Sequence, residues 1–204
     1  MKPFIIIVEG PQGVGKTTLT NWLRDSYPYT ELMRLTGSAP ISSQNKRADI
    51  GYDYHMGAMK RCRQLTQNLG CFNVVMDRSY ITELVYADLY KGYASLPSHV
   101  TNYCEELNSL ALTSNVIILS MRGTEDFFKE SLKRDKPNYQ DVQFGIETSI
   151  KQQDKYYDIM VAMKDRFLSK NVEIATLFIS PHVSIESVQD TVTKYLKDRG
   201  IERR

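Results

Sequence analysis

"EGPQGVGKTT", residues 9–18, follows directly on the apolar run Phe4-Ile5-Ile6-Ile7-Val8. Within it Gly10, Gly15, Lys16 and Thr17 satisfy G-x-x-x-x-G-K-[ST], and Gly13 adds a further glycine inside the loop. The motif carries weight only between a strand and a helix, and both are predicted here, a strand over 4–8 and a helix from Lys16 to Asp25. Glycines let the backbone turn tightly and aim its N–H groups at phosphate oxygens, while the following helix adds its positive N-terminal end. The expected phosphate cradle runs from Gly10 through Gln12, Gly13, Val14 and Gly15 to Lys16, Thr17 and Thr18. Lys16 would bridge the β- and γ-phosphates, and the Thr17 hydroxyl would serve Mg2+, which prefers oxygen ligands. ATP and Mg2+ are therefore the expected cofactors.

Outward from this loop, short apolar runs alternate with longer segments of helical period, the pattern of an α/β fold with a mainly parallel sheet. Five strands are expected, over Phe4–Val8, Glu31–Leu35, Phe72–Met76, Val116–Ser120 and Val172–Ile179, with helices on both faces in a P-loop NTPase-type three-layer arrangement. Ile185, Val188, Val192, Tyr195 and Leu196 form one stripe of a last helix, with Ser184 as its N-cap. The stretches 35–51 and 133–141 read as the most loop-like, and 133–141 is the expected lid.

A chain of 204 residues with 42% hydrophobic content can bury one substantial core, so a single domain over 1–204 is expected. Its formal charge of +2 favours neither nucleic acid nor a membrane surface as partner and points to a small molecule, with homodimer formation left open. Cys62, Cys71 and Cys104 lack disulfide-framework or zinc spacing, which fits a reducing cytoplasm. The five-residue apolar start is too short for a signal core or a membrane span. His55, His99 and His182 are scattered and read as packed or surface residues, and Met59, Met76, Met160 and Met163 as core filler.

Phosphate binding does not choose between a switch, a motor and a transferase. No D-x-x-G occurs in the sequence, and Asn45-Lys46-Arg47-Ala48-Asp49 is one residue too long for a guanine-reading motif, lies too early in the chain and reads as loop, which argues against a GTPase switch. The informative stretch is "VVMDRSYITELVYA", residues 74–87, where a strand ends in Asp77-Arg78-Ser79 before an amphipathic helix. A carboxylate at that strand end lies beside the first loop, so Asp77 can hold the magnesium shell and Arg78 can clamp phosphate with its planar fork.

With these motifs the chain resembles the thymidylate kinase and deoxynucleoside kinase families of P-loop phosphotransferases. Asp77-Arg78-Ser79 lies between the D-R-Y of the first and the E-R-S of the second, and the order of strand, basic lid, long helix, strand and final helix extends the likeness over the whole chain. The resemblance implies that Thr82 and Tyr86 sit near the acceptor's sugar and base, and that Arg34, at a strand end, meets the acceptor phosphate. It implies an acceptor-facing role for Gln12, where many thymidylate kinases carry an acid that contacts the 3′-hydroxyl. A base-stacking ring falls on Tyr52, or on Tyr54 if the alignment slips by about two residues, and Met56 stands where a thymine-reading arginine would be. Gly13 cannot supply the loop arginine that some members carry, so a basic lid is implied, with Arg134 first among Lys133, Arg134 and Lys136. The loop "SPHVS", residues 180–184, falls where related kinases pack on adenine.

Phosphorylation of a hydroxyl gains from a positioned carboxylate, whereas a phosphate monoester is already an anion. After the second strand the sequence offers Thr36, Gly37, Ser38, Ala39 and Pro40, none acidic, although Asp53 or Asp77 could approach from elsewhere. The expected activity is therefore transfer of the γ-phosphoryl group to a (deoxy)nucleoside monophosphate, a pyrimidine such as dTMP or a modified dUMP. The alternatives are a kinase of a deoxynucleoside 5′-hydroxyl or of a hydroxylated modified base in nucleotide or DNA, and a nucleotide-binding regulatory module without transfer activity.

Overall fold

The computed structural model describes residues 2–35, 44–68, 72–91, 95–135 and 142–203, with backbone alone at 44–47, 68, 132, 134–135 and 142–144. Five strands form one sheet: β1 (Phe4–Glu9), β2 (Thr30–Arg34), β3 (Asn73–Asp77), β4 (Asn115–Gly123) and β5 (Val172–Ile179). Their order is β2-β3-β1-β4-β5, and every pairing is parallel. Parallel neighbours need crossovers, which the helices supply: α1 (Lys16–Ser26), α2 (Gln44–Arg63), α3 (Tyr80–Tyr86), α4 (Pro97–Ala111), α5 (Glu125–Asp135), α6 (Val142–Arg166) and α7 (Ile185–Lys197). All five expected strands are present, each within a few residues of its expected bounds.

Side chains alternate across the sheet, and that alternation sorts the core into two layers. Ile5 and Ile7 of β1 join Val74, Met76, Val116 and Ile118 under α2, α3, α4 and α6. Phe4, Ile6 and Val8 join Val75, Ile117 and Leu119 under α1, α5 and α7. β1 is buried along its whole length, as expected of a central strand covered on both faces. Met59, Met76, Met160 and Met163 are all core residues. Ser184 caps α7 by accepting from the Ser187 N–H at 3.2 Å, and Val192 and Leu196 carry its buried stripe.

One stretch departs from the sequence reading. Residues 44–51 of the loop-like segment 35–51, including Asn45 to Asp49, open α2 instead. The run lacks an apolar period, yet its Gln, Lys, Arg and Ala residues are good helix formers. Gly51 packs closely on α3: a β-carbon there would lie 2.7 Å from Glu83 Oε1, and the Glu83 side chain would have to shift. The segment 36–43 lies outside the described residues, as do 136–141 of the expected lid. Among the described residues no helix is long and apolar enough to cross a membrane.

His55 of α2 is 2% exposed, and neither ring nitrogen has a hydrogen-bond partner. Burial holds its imidazole down at about 4 from an ordinary 6.5, with Glu83 pulling it upward and Lys91 pushing it down. The unfolded chain therefore binds a proton below about pH 6.5 that the folded chain refuses until about pH 4, so this contribution is whole above the first value and declines toward the second. Glu9, with its carboxyl raised to about 7, contributes with the opposite sign over much of this range, so the test is a comparison: in urea unfolding, His55→Leu should lose the part of the pH slope that favours folding at higher pH. An unchanged slope in the variant would place the titration elsewhere.

Candidate active site

The phosphate loop leaves β1 through Gly10, whose φ of 147° belongs to glycine and whose missing β-carbon would stand 2.5 Å from the Met121 carbonyl oxygen. The loop is thereby pressed onto the end of β4. Gly13 and Gly15 also have positive φ, and Gly15 opens α1 with no side-chain cap and no acidic residue in the first turn. The N–H groups of that turn are thus left for an anion, where the helix dipole favours negative charge. Gln12, Gly13, Val14, Gly15, Lys16, Thr17 and Thr18 all line one cavity of about 480 Å³, together with Arg78. Its far wall is Ser180, Pro181 and Val183 of the "SPHVS" loop with Ile185 and Val188 of α7, an apolar slot at the place expected to receive adenine. His182 itself is exposed.

Lys16 is 5% exposed, and its ammonium folds back to donate to the Pro11 carbonyl at 2.6 Å. Burial lowers its pKa to about 7, with Arg78 pushing the same way and Asp77 and Glu9 opposing. A cation with so little compensation gains from an incoming anion. Asp77, at the end of β3, is 5% exposed, and its Oδ2 accepts from the Thr17 hydroxyl at 2.8 Å. Its Oδ1 is buried without a hydrogen-bond partner. A divalent cation would find there a carboxylate oxygen beside a hydroxyl, a sparse hard-donor set that suits Mg2+, which completes its shell with water and phosphate oxygens. Among the described residues no group of three or more His, Cys, Asp or Glu side chains could enclose an ion by itself.

Arg78 stands at φ 79°, in the left-handed region that an arginine adopts only at a cost. Its N–H donates to the Val8 carbonyl at 3.1 Å, and its guanidinium reaches the Tyr86 hydroxyl at 3.4 Å. Thr82 turns away from the cavity. It is 4% exposed and donates to Glu9 Oε2 at 2.7 Å, with Tyr156 Oη 2.8 Å away on its other side. Arg34, opposite Asp77 in the β2–β3 register, is exposed and bonds Asn21 of α1. Tyr52 has one face stacked on His99, with centroids 4.0 Å apart, and Tyr54 is exposed on the same helix. Asp53 is exposed there as well. Arg134 belongs to the last turn of α5 and its side chain lies outside the described residues, as does Lys136 altogether, while Lys133 is exposed.

The sequence reading assigned no role to Glu9. It is fully buried and accepts from Ser79 Oγ at 2.6 Å as well as from Thr82. Burial pushes its carboxyl up to about 7, against those two hydrogen bonds and the charges of Arg78 and Lys16. A lone acid ending an otherwise apolar strand was the available signal. A second unassigned group is the polar face of α6, Ser149, Gln152 and Tyr156, all buried. Gln152 accepts from the Gln12 N–H and donates to the Tyr90 hydroxyl, both at 2.9 Å, and Ser149 reaches the Gln12 carbonyl at 3.4 Å. On α5, Ser131 donates to the Gly13 carbonyl at 3.0 Å. The phosphate loop is thus held from the two helices that flank the expected lid.

Sheet order, phosphate loop and uncapped α1 together define the class: the fold is that of the P-loop nucleotide kinases. Among solved structures, a thymidylate kinase from Candida albicans superposes with a TM-score of 0.63 at 12% identity, over 98% of this chain and 93% of that one. The YorR protein from Bacillus subtilis, solved with phosphorylated GDP, gives 0.58 at 16% identity over 98% and 99%. A deoxyadenosine kinase from M. mycoides, solved with dCMP and dCDP, gives 0.52 at 13% identity over 96% and 100%. No protein-family model matches the chain, and no curated protein matches it significantly in sequence.

Two substitutions test the site directly. Lys16→Ala removes a buried cation from the first turn of α1 and no apolar core side chain, so the variant should stay folded, with a small change in melting temperature, and lose ATP affinity by about tenfold or more, read by calorimetry. Asp77→Asn keeps the shape and halves the oxygen donors. Magnesium titration of ATP binding should then shift to higher concentration, and an unshifted titration would remove Asp77 from the metal shell.

Proposed function

We propose that this protein transfers the γ-phosphoryl group of ATP, with Mg2+, to a (deoxy)nucleoside monophosphate, a pyrimidine such as dTMP or a modified dUMP. The observation that carries the reading is the Thr17–Asp77 pair, set beside Lys16, Arg78 and the uncapped start of α1 at the edge of one cavity. In this reading the loop from Gly10 to Thr18 holds the phosphates of ATP, and the "SPHVS" side of the cavity holds its adenine. Thr17 and Asp77 hold the metal, which when bound neutralises charge on the phosphates. Lys16 and Arg78 supply further positive charge to the transferred group, and Arg34, which among the described residues donates to the neutral amide of Asn21, turns to the acceptor phosphate. Tyr86, against the Arg78 guanidinium, faces the acceptor, while Tyr52 or Tyr54 of α2 meets its base.

The disposition of carboxylates favours a monophosphate over a hydroxyl. Glu9 has both oxygens engaged and no exposure, and Asp77 is tied to Thr17. Asp53 points outward from α2, and the buried Glu83 is gripped by Lys91 at 2.7 Å. None of the four is a ready general base for a 5′-hydroxyl, and an anionic phosphate acceptor needs none. The protein is read as one functional unit over 1–204, with residues 133–141 as its lid.

A coupled assay of ADP release against a panel of nucleosides and nucleoside monophosphates tests this. Release should depend on a monophosphate. Dependence on nucleosides alone would select the hydroxyl kinase, and ATP binding with no acceptor-dependent release would leave a regulatory module. The lid is tested by Arg134→Ala, which should lower kcat by about tenfold or more, near 1.4 kcal/mol of transition-state stabilisation, with a smaller effect on ATP binding. Full kcat in the triple alanine variant of Lys133, Arg134 and Lys136 would make the cluster a solvated face.

A further inference from the structure

We propose that Glu9 is a positioning residue for Arg78, acting through the hydroxyls of Ser79 and Thr82 and braced from α6 by Tyr156. The inference rests on the reading of Arg78 as a phosphate clamp. Its basis is the polarity of a buried chain of hydrogen bonds. The chain has one direction in the ionised form of Glu9, which prevails above about pH 7: a carboxylate has no proton to give, so Ser79 and Thr82 both donate to it, at 2.6 and 2.7 Å. Each hydroxyl has one proton. Thr82 has spent its own, so of the two possible directions for the 2.8 Å contact with Tyr156, only donation by tyrosine remains. Ser79 has likewise spent its proton and uses its oxygen to accept from the Ile81 N–H at 3.2 Å, which caps α3. Every bond in the chain runs toward Glu9, and all four side chains are 4% exposed or less.

The consequence falls on the residue between the metal ligand and the cap. Arg78 has φ 79°, a conformation that relaxes unless its neighbours forbid it. Val8 holds its N–H, and Glu9, the next residue of β1, holds the side chain of Ser79. The end of β1 therefore grips the strained turn at two consecutive positions and keeps the guanidinium at the cavity. Glu9→Gln preserves volume but puts an amide N–H where a carboxylate oxygen accepted, facing a hydroxyl whose one proton points at it, so that hydroxyl must turn its proton elsewhere or the contact breaks.

The test uses the full-length protein with MgATP and the best monophosphate from the acceptor panel. Glu9→Gln should lower kcat by about tenfold or more with the ATP KM within about twofold, and Tyr156→Phe, which keeps the packed ring, should lower kcat by about threefold or more. Because both act through one chain, the double variant should lose less than the product of the single losses. Should Glu9→Gln fail to fold, Tyr156→Phe with Thr82→Val, scored per folded molecule, decides the matter. Arg78→Ala separates the two layers of the argument. Full kcat in Arg78→Ala would remove the clamp on which the inference rests. Loss of kcat there, with kcat retained and only the melting temperature lowered in Glu9→Gln or in Tyr156→Phe, would make the buried chain purely structural and overturn the proposal.

Discussion

The parallel pairing of β1 with β3, in which Val8 lies opposite Asp77, is the constraint from which the site follows. It brings the ends of two strands that are distant in sequence to one edge of the sheet. The phosphate loop leaves from the first, and the Asp77-Arg78-Ser79 turn leaves from the second. The pleat then sends their terminal carboxylates to opposite faces. Asp77 turns to the α1 side, where Thr17 meets it, and Glu9 turns to the α3 and α6 side, where Ser79, Thr82 and Tyr156 gather. A slip of one residue in this register would exchange the two faces and take Asp77 away from the Thr17 hydroxyl. The pairing holds because Ile5 and Ile7 face one apolar layer while Ile6 and Val8 face the other, so neither face of β1 can be offered to water.

What the sequence disclosed well was local. The five strands are short apolar runs with turn residues at their ends, and the glycines of the phosphate loop sit at the positive φ angles and the close approach to Met121 that only glycine tolerates. Asp77 and Arg78 were legible because a charged pair ends an apolar strand. The opening of α2 was not, since Gln44 to Gly51 carries no apolar stripe and its helix is sustained by packing on α3, a contact no local window contains. The ring contacts of α2 were equally hidden. Tyr52 reads as a free stacking surface until the fold brings His99 onto one face.

The least legible residues were those whose role lies in what they hold. Thr82 falls at a position that resemblance assigns to the acceptor, yet its hydroxyl is spent on Glu9. Gln152 and Tyr156 lie on the long helix α6, and the sequence alone assigns them no role. They prove to be its attachment points, one to the phosphate loop and one to the chain that ends on Glu9. Their partners are 140 and 74 residues away in sequence, beyond any periodicity argument.

The energetics of the turn at Arg78 show why such anchoring is needed. A left-handed arginine costs about 1–2 kcal/mol, and a buried carboxylate costs more unless hydrogen bonds satisfy it. Placed apart, each would be a liability. Placed at the same edge, both are compensated by one set of hydrogen bonds. Hydrogen bonds to a charged acceptor contribute about 1.5–3 kcal/mol each, and the two hydroxyls that satisfy Glu9 belong to the segment that would have to move for Arg78 to relax. Relaxing the arginine would strip the carboxylate, and the loss would exceed the strain released. The guanidinium is thereby held beside Lys16 at one cavity, and the cost of bringing these two cations together is met in folding. In the proposed reading, a triphosphate would gain from both without having to reorganise the turn.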